Sequence, residues 1–318
     1  MSHAIEVSHL SKSFGEVHAV RDLNFTAQPG RVTGFLGPNG SGKTTTLSML
    51  LGLAHPDAGT ATIGGMPYAQ LDRPALTVGA ALSANFHAAH TGRAHLDIAR
   101  RAIGAPETRV AEVLGLVGLS DSANRKAGGY SLGMRQRLAL ATALLGDPDV
   151  LVLDEPVNGL DPEGIRWIRL FLRHLASEGK TVLLSSHLLS EAQHTVDDLV
   201  VIRRGELMFA GPLNDLQSGA RTVFVNTAAE HRAALVAALT AAGGTVGTEW
   251  GKRRHAAEPV ISTAPIGVTG LDADQVGLIA FAAGVALSHL SAPEAELELS
   301  FLELTGDAAD TVAEGARS

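Results

Sequence analysis

The chain has 318 residues and 45% hydrophobic content, enough for one large α/β domain with a sizeable core and a small second domain. It contains no cysteine, which excludes disulfides, thiolate catalysis and thiolate metal sites. The formal net charge is −8, and 6 basic against 12 acidic residues from position 221 onward carry −6 of it, so no nucleic-acid partner is expected.

The opening segment MSHAIEVSHLSKSF has no basic start running into an apolar stretch, so no signal peptide is expected. Residues 5–36 read as strands: two alternating segments separated by turn residues, then the short apolar run RVTGFLG. A helix is expected over Thr44–Leu53, and Thr60–Ile63 before Gly64 and Gly65 reads as a hairpin arm. Residues 84–130 read as mostly helical, punctuated at Gly104–Pro106 and at Gly128 and Gly129. Val150–Leu153 and Thr181–Ser185 are unbroken apolar runs of the kind buried in parallel sheets. Between them Pro162–Glu178 reads as an amphipathic helix, with proline in its first turn and Gly179 beyond its end. Leu199–Arg203 and Glu206–Ala210 flank Arg204-Gly205 as a hairpin.

A boundary falls near Asn214–Arg221. Beyond it the chain reads strand (Thr222–Asn226), helix (Ala229–Ala242), strands (Gly244–Thr248 and Pro259–Ala264), helix (Asp272–Ala283) and strand (Val285–Leu290). That order is the β-α-β-β-α-β of a ferredoxin-like unit. Leu297–Thr305 reads as a closing helix and residues 307–318 as a frayed tail. The expected domains are therefore 1–215, with a helical subdomain near 84–135, and 221–306. The longest apolar run, near Val276–Leu287, is about a dozen residues, whereas a membrane span needs roughly 20.

The chemistry concentrates in two stretches. Gly37-Pro-Asn39-Gly40-Ser41-Gly42-Lys43-Thr44 fits G-x-x-x-x-G-K-[ST] after a buried strand and before a helix. Glycines there turn backbone N–H groups toward phosphate oxygens at a helix N-terminus, Lys43 neutralises the β and γ phosphates, and Thr44 offers a hydroxyl to Mg²⁺. Thr45 belongs to the same candidate set. A chance glycine-rich turn would lack this strand–loop–helix setting.

The second stretch runs from Tyr130 to Asp161. Asp154 and Glu155 end a strand at the sheet edge where ligands of α/β folds bind. Asp154 suits holding Mg²⁺ through water, and Glu155 suits polarising an attacking water. Ser131-Leu-Gly133-Met-Arg-Gln-Arg137 opens an apolar-periodic helix, for which Ser131 is also an ordinary N-cap. Gly159-Leu160-Asp161 precedes the helix at Pro162, which Asp161 would cap.

This order of motifs over residues 5–215 resembles the ATP-binding subunit of ATP-binding-cassette (ABC) transporters. The resemblance implies an ABC-type P-loop fold: a mixed sheet core with an antiparallel β-subdomain and a helical subdomain, followed here by a small α+β domain. It implies ATP hydrolysis with Mg²⁺, the catalytic set Lys43, Glu155 and His187, and a head-to-tail dimer, homodimeric or with a paralogue. Ser131 and Gly133 would then meet the γ-phosphate of ATP bound on the other subunit. Asp161 would lie along the dimer interface, and His187 would sense the γ-phosphate. Phe14, 29 residues before Lys43, stands where the family stacks an aromatic on adenine; the alternative is a place in the β-subdomain core.

The chain departs from the family pattern at Leu132 and Met134, and at Ser83, which takes the place of a Gln that coordinates Mg²⁺. Serine is shorter but could hold a Mg²⁺-bound water. The C-terminal region resembles that of daunorubicin/doxorubicin-type antibiotic exporter ATPases. The partner so implied is a separate polytopic permease, which would hold the chain on the inner face of the cell membrane. Two other readings are a permease-free ABC-type ATPase acting on ribosomes or DNA and an unrelated P-loop kinase or GTPase. The single cassette, the lack of a heptad run and the acidic balance weigh against the first of these; the 131–137 segment and His187 weigh against the second.

Overall fold

The computed structural model describes residues 3–84, 86–218, 223–247 and 265–291. The chain divides into two compact units, one ending at Leu213 and the other beginning at Asn214.

The first unit starts with strands β1 (Ile5–Phe14), β2 (Val17–Ala27) and β3 (Val32–Leu36), then helix α1 (Lys43–Leu50) and β4 (Ala58–Ile63). Next come α2 (Pro74–Thr77), β5 (Val78–Ala81), α3 (Gly92–Ile103), α4 (Thr108–Leu116) and α5 (Leu132–Ala143). The remainder is β6 (Val150–Leu153), α6 (Pro162–Ser177), β7 (Thr181–Ser186), α7 (Leu189–Ala192), β8 (Asp198–Arg203) and β9 (Glu206–Pro212), with α8 (Leu213–Ser218) after it.

Two sheets form. The larger has the order β5-β6-β7-β3-β8-β9, parallel except for the edge strand β9. Its central strands β3, β6 and β7 are buried at every position, which is why they read as continuous apolar runs. The smaller sheet is antiparallel in the order β2-β1-β4. The two meet in one core, where Phe25 of β2 stacks on Phe35 of β3 with ring centroids 5.2 Å apart. Helix α6 presents Ile168, Leu172, Leu175 and Ala176 as its buried stripe. Each of its larger side chains contributes about 1.5–3 kcal/mol of burial.

Three sequence expectations change. Residues 60–63 make only the shortest hairpin: Ile63 and Met66 exchange both backbone hydrogen bonds across Gly64-Gly65, while the rest of β4 pairs with β1, Ile63 opposite Ile5. Residues 84–130 are less helical than expected, since regular α-helix is confined to α3 and α4 and the rest is short 3₁₀ turns and irregular chain. Gly104, in the left-handed region, stops α3, and Pro106 comes two residues later. Strand β5 is an addition, because Val-Gly-Ala-Ala is too short and too small to show a periodicity.

The second unit carries β10 (Val223–Thr227), α9 (Arg232–Ala241), β11 (Thr245–Gly247), β12 (Ile266–Thr269), α10 (Ala273–Ala282) and β13 (Leu287–Ser291). The sheet is antiparallel with the order β11-β12-β10-β13. Val225, Leu235, Leu239, Ile266, Val268 and Val276 form its core. Asp272 caps α10 in a reciprocal capping box with Gln275. The expected strand Pro259–Ala264 and helix Leu297–Thr305 lie outside the described residues. Among the described residues no helix is long and apolar enough to cross a membrane.

Candidate active site

Four parallel strands deliver the candidate residues to one sheet edge. Leu36 ends β3 and leads into the glycine loop; Leu153 ends β6 before Asp154; Ser186 ends β7 before His187; Ala81 ends β5 two residues before Ser83. Loops at the carboxyl ends of parallel strands are where α/β folds bind ligands.

The glycine loop wraps the start of α1. Gly42 has φ of 105°, and a Cβ there would collide with the Ala19 carbonyl, so glycine is required on both counts. The loop closes on Lys43, which is 6% exposed and whose Nζ donates to the Gly37 carbonyl at 2.6 Å and to the Pro38 carbonyl at 3.3 Å. Burial pushes the Lys43 pKa below its ordinary value, against the opposing pull of Glu155 and Asp154. Ser41 Oγ is buried without a hydrogen-bond partner in the same loop. A cradle with an orphaned hydroxyl and a buried ammonium suits an anionic ligand.

The acids meet the loop directly. Thr44 Oγ1 donates to Asp154 Oδ2 at 2.9 Å. Glu155 Oε1 lies 3.9 Å from Lys43 Nζ, and Glu155 Oε2 lies 2.9 Å from His187 Nδ1. Glu155 sits at φ 49°, a left-handed conformation that costs a non-glycine residue about 1–3 kcal/mol. Its carboxylate lies between Lys43 and His187. Ser83 does not touch either acid by a hydrogen bond among the described residues. It lines a cavity of about 210 Å³ together with Asp154, Glu155 and Gln136.

Ser131 and Gly133 are placed differently. Ser131 Oγ accepts the Met134 N–H at 3.2 Å, so it caps α5. Asp161 likewise caps α6, accepting the Gly164 N–H at 2.8 Å. The two helix starts are packed on each other: Leu132 lies on Gly159, Leu160 on Gly133, and Gln136 Nε2 donates to the Asn158 carbonyl at 3.3 Å. Phe14 is 56% exposed with the Lys12 ammonium 5.5 Å from its ring centroid, which overturns the alternative that it packs in the core.

One residue escapes the sequence reading. Ser185, fully buried on β7, donates to Asp154 Oδ1 and accepts the Glu155 N–H at 3.0 Å. The signal for it is a hydroxyl closing an apolar strand, which has to find a partner when buried.

The profile of the family described as "ABC transporter" matches residues 20–158, across both candidate stretches. The chain is 40% identical over 221 residues to the bacitracin transport ATP-binding protein BcrA of Bacillus licheniformis, covering 68% of this chain and 72% of that one. It belongs to the ATP-binding subunits of ABC transporters and is an ATP-binding ATPase of that family. It is 43% identical over 215 residues to the Nod factor export ATP-binding protein I of Burkholderia lata, covering 65% and 70% of the two chains. Among solved structures, an ATP-binding subunit of an ABC transporter superposes with a TM-score of 0.61 at 28% identity, covering 67% of this chain and 91% of that one. A dimeric bacterial ABC transporter cassette gives 0.60 at 25% identity, covering 66% and 98%. The ABC ATPase fold expected for residues 5–215 and the ATPase class hold, and the kinase or GTPase reading is set aside.

Proposed function

We propose that this chain is the motor subunit of an exporter of drugs or other small hydrophobic molecules. It works as a head-to-tail dimer on a separate polytopic permease, which holds it at the inner face of the membrane. The relatives' names support export: one is a bacitracin transport protein and another a Nod factor export protein. The observation that carries the site assignment is the convergence of Lys43, Thr44, Asp154, Glu155 and His187 within hydrogen-bonding or ion-pair reach.

In this reading Lys43 neutralises β and γ phosphate oxygens, and the N–H groups of residues 39–45 hold the phosphate chain at the start of α1. The Thr44 hydroxyl and the Asp154 carboxylate are hard oxygen donors that fit Mg²⁺, and among the described residues no cluster of three acidic or histidine side chains offers a competing metal cage. Bound there, Mg²⁺ would supply charge neutralisation for the phosphates. Ser83 lies close enough in the fold to contribute through water. Glu155 orients and polarises the attacking water, while His187 fixes the Glu155 carboxylate. Phe14 offers its exposed ring to adenine.

Ser131 caps its own helix and Gly133 packs on Leu160 beside Asp161, and among the described residues no hydrogen bond joins them to the glycine loop. That supports their acting on a second chain's nucleotide, and a structural relative described as a dimeric cassette is in keeping with two chains meeting. ATP then favours the closed dimer, and hydrolysis releases it. The test is a mixed dimer with Lys43→Ala on one chain and Ser131→Ala on the other. It retains one intact composite site and is expected to keep part of the activity. Complete loss of activity would count against the head-to-tail arrangement. The permease is tested by isolating the native complex from membranes, where a polytopic protein should accompany the chain.

A further inference from the structure

We infer that Ser185 is a positioning residue for hydrolysis, one hydroxyl that fixes the metal-binding acid and the water-polarising acid relative to each other. The inference rests on the roles proposed above for Asp154 and Glu155.

Three observations combine. Strands β6 and β7 run parallel with Leu153 opposite Leu184, so the next residues, Asp154 and Ser185, fall side by side just past the end of that ladder. The Ser185 hydroxyl donates to Asp154 Oδ1, which leaves Oδ2 for Thr44 at 2.9 Å. The same hydroxyl oxygen accepts the Glu155 N–H at 3.0 Å. A hydroxyl has one proton to give and lone pairs to accept with, so one group does both. The accepted N–H belongs to the residue at φ 49°, where the backbone needs outside support to stay left-handed. Ser185 touches neither the phosphate loop nor His187 by a hydrogen bond among the described residues. Its effect therefore passes through the two acids.

The experiment compares Ser185→Val with Ser185→Thr in the full chain. The two replacements have nearly the same shape, and only threonine keeps the hydroxyl. Binding of a non-hydrolysable ATP analogue is measured by calorimetry while Mg²⁺ is titrated up from a chelated baseline. Ser185→Val is expected to need about tenfold more Mg²⁺ for half-maximal binding, the usual scale for losing a partner behind a metal ligand. Its affinity without Mg²⁺ is expected to stay at the wild-type value, and Ser185→Thr to stay within about threefold of wild type in Mg²⁺ requirement. Equal Mg²⁺ midpoints for the two variants, or a wild-type midpoint for Ser185→Val, would overturn the inference. Should Ser185→Val not fold, Ser185→Cys keeps the volume with a weaker donor and should shift the midpoint in the same direction; a wild-type midpoint there overturns it as well. Asp154→Asn separates the two levels. If it leaves the Mg²⁺ midpoint unmoved, the assignment of Asp154 itself is wrong; if it moves the midpoint and Ser185→Val does not, only the role of Ser185 fails.

Discussion

His187 Nδ1 lies 2.9 Å from Glu155 Oε2, while the other Glu155 oxygen lies 3.9 Å from Lys43 Nζ. One carboxylate is thus held from both sides, by a group just past the end of β7 and by a group that starts α1. Glu155→Gln is expected to bind ATP normally, to lower turnover by about 10²–10⁴-fold, the range for losing a general base, and to accumulate a dimer detectable by light scattering. His187→Ala leaves the carboxylate present but loosely held, and a loss of about a hundredfold in kcat is expected. Wild-type turnover in Glu155→Gln would remove that residue from the mechanism.

The exposed ring of Phe14 gives a cleaner separation of binding from folding. Phe14→Ala should raise the apparent Kd for ATP by the equivalent of about 1–3 kcal/mol, the range for a base stacked on an aromatic side chain. The melting temperature should not move, since the ring is 56% exposed and contributes little to the core. An unchanged Kd with a lowered melting temperature would instead make it a packing residue.

Lys43 links binding to stability. Its folded-state pKa is lowered, chiefly by burial, so between that value and the ordinary one the unfolded chain binds more protons. Stability therefore rises with pH through that alkaline window, and at neutral pH the buried charge is a cost. Lys43→Met, similar in length and uncharged, should melt at a higher temperature than wild type without nucleotide and should lose ATP binding. The gap in unfolding free energy between the two should narrow as pH rises toward the ordinary lysine value. A gap independent of pH would show that the ammonium is not destabilising.

The packed pair of helix starts predicts a specific steric conflict. Gly159 has φ of 74°, and a Cβ there would strike the Leu132 side chain. Gly159→Ala should therefore cost more than the roughly 1 kcal/mol of a left-handed alanine. The excess should vanish in the double variant Leu132→Ala, Gly159→Ala, measured as a coupling energy in denaturant unfolding.

Much of this site is legible in the sequence because it is ordered along the chain. Apolar runs announce β3, β6 and β7, and the residues just past them, Gly37, Asp154 and His187, stand out by type. Lateral neighbours are not legible. Nothing in the periodicity of β4 names β1 as its partner across more than forty residues, and nothing in Leu-Leu-Ser-Ser says which hydroxyl meets Asp154. Those facts depend on sheet register, which long-range packing decides. Exposure is equally hidden: the residues alone leave a core place for Phe14 open beside the adenine-stacking one, because alternation in a strand says two faces exist and not which one is covered.

The contact of Leu132 with Gly159 reaches beyond the energetics of one loop. It makes the two positions dependent on each other in substitution. A chain with glycine at 132 would be free to admit asparagine or aspartate at 159, residues that tolerate positive φ. With leucine at 132 the two side chains compete for one space, so enlarging 159 forces the half-exposed Leu132 to turn aside. The pair should therefore show correlated replacement across relatives, and a designer grafting either loop into another cassette would have to move both together.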